Sequence, residues 1–411
     1  MQKEVSLTRQ QACRFILAHQ RLRPPFSLSG KQGIADYVAQ VGCIQYDPIS
    51  IVGRSPELVL AARVSDFRPR MLYEALYEDR VLIDGFDKMM AIFARSDWPL
   101  FRRTREVAFA SLGHAPEVVA EVFGQVRAVV EAKGPITWED TGLDQIVDWA
   151  WGPTRLGRAA LEAMCVSGEL VIHHRDGVRK VYDLAERCVP RELFDAPDPN
   201  ATRDEYAEFR AARRIGGIGL LWDRAGDGWL GTREISMKER RQAIGRLAAR
   251  GEVIPVRVEG VPQLLYMRAC DDATLADAVA AARGDCAESA EMVALSPLDN
   301  LLWDRALVRA LFGFDYVWEV YKPAAQRRYG HYVLPVVAGD RFLARFQPAR
   351  EGAGGGAGAC AGGAVVVENW WWEQDVRPTR ALRAASERCV ERIAQCIGAP
   401  AVRFAKWDQM L

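Results

Sequence analysis

The sequence predicts an α+β chain in which helix–hairpin units are repeated and a strand-rich segment follows. Two observations carry this prediction. Three segments share one order of helix, tight turn, apolar strand, turn and second strand, and from residue 291 the pattern changes to short strands rich in aromatic residues. The 411 residues are enough for two to four domains.

The repeated segments cover residues 72–93, 161–184 and 244–267. Arg175-Asp176-Gly177 and Glu259-Gly260 supply hairpin turns in the second and third copies. Chance could produce three such matches, but their similar spacing along the chain favours a true repeat.

A helix followed by a hairpin is the end of a winged helix, in which the helix enters a DNA groove and the hairpin forms the wing. Helices expected at 8–21 and 31–41 precede the first copy, and helices at 115–133 and from about 154 belong to the second. Ser236 and Glu239 form a capping box that opens the helix of the third copy.

The part after residue 291 is expected to form a small antiparallel β-barrel, with strands at 314–323, 327–340, 341–350 and 364–374. Residues 351–363 read as a flexible hairpin loop, and a helix at 379–397 closes the chain. Core and interface packing is favoured over base stacking for the tryptophans at 370–372. The predicted domains are three winged helices and the barrel domain. Their residues are 1–112, 113–198, 199–285 and 286–411.

Composition excludes several classes of protein. No run of 18 apolar residues is present, and the N-terminus lacks the apolar segment of a signal peptide. Nine scattered cysteines without CxxC pairs or metal-ligand spacing to the five histidines indicate reduced thiols, no zinc and no cysteine nucleophile. A formal net charge of zero argues against a non-specific nucleic-acid binder, although the arginines are clustered.

Gln45 and Asp47 stand two residues apart in the largely apolar run at 43–56. In an extended backbone, residues i and i+2 point to the same face, so an amide and a carboxylate would project together. The carboxylate could activate water or stabilise a cation, and the amide could hold that water or read a base edge. The alternative is a loop whose polar side chains cap nearby backbone groups.

Four stretches in order along the chain resemble the AlkZ/YcaQ-like DNA glycosylases of the winged-helix superfamily. They are residues 45–63, 295–305, 319–337 and 370–379. The resemblance implies a C-shaped, monomeric protein that binds duplex DNA in the cytoplasm, at the nucleoid. It further implies excision of N7-alkylated purines and unhooking of interstrand crosslinks, with no metal or organic cofactor.

Carried over by position, the resemblance makes Gln45 and Asp47 the catalytic pair, in the Q-x-D form of the broad-acting branch. Arg327 and Arg328 would grip phosphates, with a solvated arginine pair as the alternative. Arg54 would orient Asp47 or bind phosphate, with a structural ion pair as the alternative.

Two motifs depart from the family pattern. Lys88 stands where the hairpin of the family usually has a histidine, and it could contact a phosphate. The barrel motif is reduced to residues 344–349, in which Arg345 remains as a DNA-binding candidate.

A non-catalytic winged-helix regulator or lesion sensor is the other function class. Asp47 distinguishes the two function classes. DNA phosphates repel a carboxylate, so a carboxylate that faces DNA is favourable mainly beside a cation.

Overall fold

The computed structural model of the chain describes residues 4–110, 116–150, 152–280, 291–351 and 363–406. The helices are α1 Arg9–His19, α2 Gly30–Val41, α3 Ser55–Ala61, α4 Pro69–Tyr77, α5 Arg102–Ala110, α6 Pro116–Glu121, α7 Phe123–Lys133, α8 Leu156–Ser167, α9 Ala185–Cys188, α10 Arg191–Phe194, α11 Arg203–Ile218, α12 Met237–Ala249, α13 Asp272–Ala280, α14 Arg305–Phe312 and α15 Arg380–Cys396. The strands are β1 Val5–Leu7, β2 Cys43–Gln45, β3 Leu82–Asp87, β4 Met89–Ala94, β5 Ile146–Val147, β6 Thr154–Arg155, β7 Leu170–Asp176, β8 Arg179–Leu184, β9 Leu221–Trp222, β10 Val253–Val258, β11 Val261–Arg268, β12 Val293–Ala294, β13 Leu334–Ala338, β14 Arg341–Arg350, β15 Val365–Trp372 and β16 Val402–Phe404. Within these ranges, no helix is both long and apolar enough to cross a membrane.

The chain divides into two compact units. The first unit contains Met1–Leu72, Asp204–Leu230 and Ile235–Leu411, and the second contains Tyr73–Arg203 and Gly231–Glu234. The boundaries predicted after residues 112 and 285 lie outside the described residues. The four-domain division stays a prediction.

All three helix–hairpin units are present as antiparallel hairpins that follow a helix: α4 with β3 and β4, α8 with β7 and β8, and α12 with β10 and β11. The turn of the second hairpin lies later than expected. β7 runs through Asp176, and Gly177 makes the turn at a φ of 62°, a left-handed conformation that favours glycine. The capping box at α12 is confirmed, since Ser236 Oγ accepts from the Glu239 N–H at 3.2 Å.

Other helices follow the sequence prediction with small changes. α1, α2 and α15 lie close to the expected ranges. The single helix predicted at 115–133 is instead two helices, α6 and α7, which meet near Val122.

The C-terminal strands form one sheet in the order β12-β13-β14-β15-β16. In this order β12 and β16 are edge strands, so the described sheet is open, and β16 pairs parallel with β15 although an antiparallel barrel was expected. The prediction of a strand at 314–323 is wrong. That segment is irregular, because its aromatic side chains pack on the sheet: the Phe314 ring stacks on Phe342 at 4.0 Å, and the Tyr316 hydroxyl donates to the Val333 carbonyl. The predicted loop at 351–363 lies, except for its ends, outside the described residues.

The C-terminal sheet and α15 share an apolar core with residues from the start of the chain. Val52 and Leu58 are buried in this core beside Leu334 and Phe346. Trp370 is 5% exposed and its ring stacks on Phe346, which confirms core packing over base stacking for this residue. The core therefore fixes the segment that follows β2.

A buried ion pair holds two hairpins of the second unit together. The Arg175 guanidinium on β7 lies 2.8 Å from the Asp84 carboxylate on β3, and both side chains are almost fully buried. The Tyr77 hydroxyl donates to the same carboxylate at 2.7 Å and accepts from Arg175 Nε at 3.1 Å. Because these polar groups have partners, the pair can stay ionised inside the unit.

A second buried network lies in the first unit and centres on Arg63. Its guanidinium binds both carboxylate oxygens of Asp299 at 2.8 Å, with neither side chain exposed. Arg63 also donates to the backbone carbonyls of Gln20 and Val59. Next to Asp299, Asn300 Nδ2 donates to the Cys43 carbonyl of β2 at 3.0 Å. The network therefore connects α1, α3 and the turn before α14 to β2.

We expect Asp299→Asn to lower the free energy of unfolding by about 3–5 kcal/mol, because it leaves the buried Arg63 cation without its counterion. Urea denaturation followed by circular dichroism measures this change. The exposed Arg403–Glu351 pair is the control, and Glu351→Gln should change stability by less than about 1 kcal/mol. Equal effects of the two variants would contradict the role given to the buried pair.

Candidate active site

The candidate catalytic pair lies at the C-terminal end of β2. Gln45 is the last residue of the strand and is half-buried, and Asp47 lies in the irregular segment that follows. Since the strand stops at Gln45, strand periodicity does not by itself set the direction of Asp47. The Asp47 carboxylate accepts a hydrogen bond from the Ile49 N–H at 2.9 Å, which fixes one of its oxygens.

The surroundings of the Asp47 carboxyl group change its acidity. Burial raises the pKa of this carboxyl above its usual range, and the hydrogen bond from the Ile49 N–H opposes this rise. A carboxylate in such surroundings is a stronger base than one in water, and it interacts more strongly with a nearby cation.

The apolar wall behind Asp47 comes from the C-terminal sheet. Ile49 and Ile51 pack against the core that contains Tyr332, and Trp318 packs there as well. Tyr332 is 3% exposed, and its pKa is raised by burial first, then by Tyr316 and Asp47. Tyr332 thus lies in the core that borders the segment of Asp47.

Arg54 is the N-cap residue of α3 and pairs with Glu57. The Glu57 carboxylate accepts from the Arg54 backbone N–H at 2.7 Å and lies 3.3 Å from its guanidinium. This geometry matches the structural alternative given above for Arg54. Its side chain is 28% exposed, so an anion can still approach it.

Arg327 and Arg328 belong to a loop that is built around one carboxylate. Glu319 is 4% exposed and accepts from three consecutive backbone N–H groups, those of residues 328–330, and from the Lys322 ammonium. Burial opposes ionisation, but these donors lower the pKa of Glu319 to about 2. Arg327 donates to the Lys322 carbonyl, whereas Arg328 is exposed, with its guanidinium 4.9 Å from the centre of the Tyr329 ring.

The other two basic candidates are buried. Arg345 is 4% exposed, pairs with Glu373 at 2.8 Å and stacks over the rings of Phe314 and Tyr329. Lys88 is 3% exposed at the turn of the first hairpin, so its ammonium is not presented to solvent. Arg328 is therefore the most accessible cation among the predicted DNA contacts.

The described residues contain no cluster of three or more metal-binding side chains. Burial raises the pKa of the Cys13, Cys165, Cys389 and Cys396 thiols to about 12, which disfavours the thiolate form needed for nucleophilic attack. These four buried thiols are therefore poor candidates for a nucleophile.

Sequence reasoning missed Tyr332 as part of these surroundings. It lies in the stretch 319–337 that carries the family resemblance, but its spacing from Asp47 gives no signal. Only the packing of Ile49 and Ile51 against the core that contains Tyr332 reveals the connection.

A family model described as DNA glycosylase AlkZ-like matches residues 38–396. The chain belongs to the AlkZ-like DNA glycosylases. It is therefore a DNA glycosylase, an enzyme of DNA repair, and the non-catalytic alternative is excluded.

The structure is also similar to that of Streptomyces sahachiroi DNA glycosylase AlkZ, with a TM-score of 0.63 over 97% of this chain and 99% of that one. At 16% identity the likeness shows a shared mixed α+β fold.

The raised pKa of Asp47 has a consequence for stability. The folded state binds a proton at Asp47 more readily than the unfolded state does, so ionised Asp47 destabilises the fold at pH values above its folded pKa. We expect Asp47→Asn to melt at the same temperature as the unchanged protein or higher at pH 8, and the difference to shrink as pH falls through that pKa.

Differential scanning calorimetry across pH 4–8 measures this effect, with Asp36→Asn, an exposed carboxylate, as the control. A melting temperature clearly lowered by Asp47→Asn at pH 8 would contradict it.

Proposed function

We propose that this DNA glycosylase hydrolyses the N-glycosidic bond of N7-alkylated purines and unhooks interstrand crosslinks formed at that position. The observation that carries the proposal is the Asp47 carboxylate, held by the Ile49 N–H in a partly apolar setting that raises its pKa. An anion in such a place is unfavourable beside DNA phosphates and favourable beside a cation.

The substrate supplies that cation. An N7-alkylated purine is already positively charged and leaves easily, so little acid catalysis is needed. The sugar then passes through an oxocarbenium-like transition state, as in other glycosidic cleavages. Asp47 stabilises this cation and accepts a proton from the attacking water, while Gln45 holds the water or the sugar. The water oxygen bonds to the sugar carbon as the bond to the purine breaks.

DNA binding follows from the repeated units in this proposal. Each helix–hairpin unit is the end of a winged helix, and the three units with the C-terminal sheet make the four predicted domains. Arg328 and Arg327 hold phosphates, with Arg54 as a further contact. Lys88 and Arg345 contribute only if DNA exposes them. The enzyme acts as a monomer.

We expect Asp47→Asn to slow release of N7-methylguanine from duplex DNA by ~10²–10⁴-fold, because the variant lacks the base and the negative charge. Gln45→Ala should slow release less. Single-turnover assays with excess enzyme measure the excision step. DNA affinity measured in parallel should stay within about twofold for both variants. Full excision by Asp47→Asn would remove Asp47 from the mechanism.

The pH dependence of the unchanged enzyme gives a separate check. The base is active only when ionised, so activity should fall as pH falls through the pKa of Asp47. Because that pKa is raised, the acid limb should lie above the ordinary aspartate value of about 3.9. If the excision rate of Asp47→Asn falls at low pH as it does in the unchanged enzyme, the group that titrates there is not Asp47.

We expect Arg328→Gln to weaken binding to all duplexes and to lower the slope of log affinity against log salt by about 1, as loss of one phosphate contact requires. Fluorescence anisotropy over a salt series measures the slope. The control is Arg191→Gln, because Arg191 is 93% exposed and lies in the second unit. Equal slopes in Arg328→Gln and the unchanged protein would contradict the contact.

A further inference from the structure

Tyr321 is the most exposed large apolar or aromatic side chain among the described residues, at 81%. It stands in the irregular segment between Phe314 and β13, directly before Lys322. The exposed Tyr321 ring offers an apolar face on which another flat ring can stack.

The position of this ring is set by its neighbours. The Tyr321 ring meets Trp318 edge-on, with centres 5.8 Å apart, and Trp318 meets Tyr332 edge-on at 6.3 Å. Tyr332 in turn belongs to the apolar core against which Ile49 and Ile51, in the segment that contains Asp47, pack. Three aromatic rings thus lead from the surface to the surroundings of the candidate catalytic carboxylate.

The loop that carries Tyr321 is organised before any ligand binds. Glu319 ties the backbone of residues 328–330 to Lys322, the residue after Tyr321. The Lys322 ammonium offsets the Glu319 charge, so Arg327 and Arg328 leave the loop with a positive charge. An exposed aromatic ring among cations fits nucleic acid, whose bases stack and whose phosphates attract.

We propose that Tyr321 stacks on a DNA base that loses its normal stacking beside the lesion, while Arg328 holds the flanking phosphate. The proposal rests on the glycosylase function given above and adds a base contact to it. An intact duplex offers no free base face, so Tyr321 should favour DNA in which a base step is already weakened.

The test compares Tyr321→Ala with Tyr321→Phe, which keeps the ring. The probes are a perfect duplex and the same duplex with a single mismatch next to 2-aminopurine, a base whose fluorescence is quenched by stacking. Tyr321→Ala should bind the mismatched duplex about tenfold more weakly and fail to quench the probe, whereas Tyr321→Phe should match the unchanged protein within about twofold. Val279→Ala, another exposed apolar side chain in the first unit, is the control.

Equal affinity and equal quenching in Tyr321→Ala and the unchanged protein would overturn the proposal, and so would equal losses on the perfect and the mismatched duplex. Neither probe contains an alkylated purine, and neither readout requires excision. A failure to release N7-methylguanine would therefore count against the proposed function alone, and a normal Tyr321→Ala result against the stacking contact alone.

Discussion

The buried ion pair between Arg63 and Asp299 is the constraint on which the first unit depends. One partner follows α3 and the other lies more than two hundred residues later, before α14. Together with Asn300 they tie the start of β2 to the rest of the unit. A buried ion pair adds little net stability over an apolar contact. Its two charges stay paired, however, in only one arrangement of the helices and turns that carry them. We interpret its role here as fixing β2, the strand that ends at Gln45 and precedes Asp47.

The segment after β2 is held from the other side by apolar packing. Ile49, Ile51 and Val52 contact the core of the C-terminal sheet, which leaves Asp47 between that wall and the surface. The wall raises the pKa of the carboxylate, and the Ile49 N–H keeps one of its oxygens in place. In the proposed mechanism, the same burial that disfavours the anion in the resting fold strengthens its interaction with a cationic substrate, so that stability is exchanged for activity.

The chain has no formal net charge, but its arginines are of two kinds, those buried in ion pairs and those exposed to solvent. Arg63, Arg175 and Arg345 are buried and paired with carboxylates inside the units. Arg250, from a cluster that stands out in the sequence, pairs with Glu208. Arg328, in contrast, is exposed on a loop that is already ordered by Glu319. The basic surface offered to DNA therefore depends on which arginines the fold leaves uncovered, and formal charge does not report this.

The sequence by itself determined the three helix–hairpin units, the bounds of most predicted helices to within a few residues, the family and the candidate pair. These features rest on local patterns: apolar periodicity, turn residues and a contiguous motif. The remaining features depend on contacts between residues that are distant along the chain, so only the tertiary structure decided them. It placed β1 beside β10, left 314–323 irregular, buried Lys88 and Arg345, and packed the segment of Asp47 against the core that contains Tyr332. The spacing of residues along the chain does not predict such contacts, so only the folded structure reveals the surroundings of Asp47.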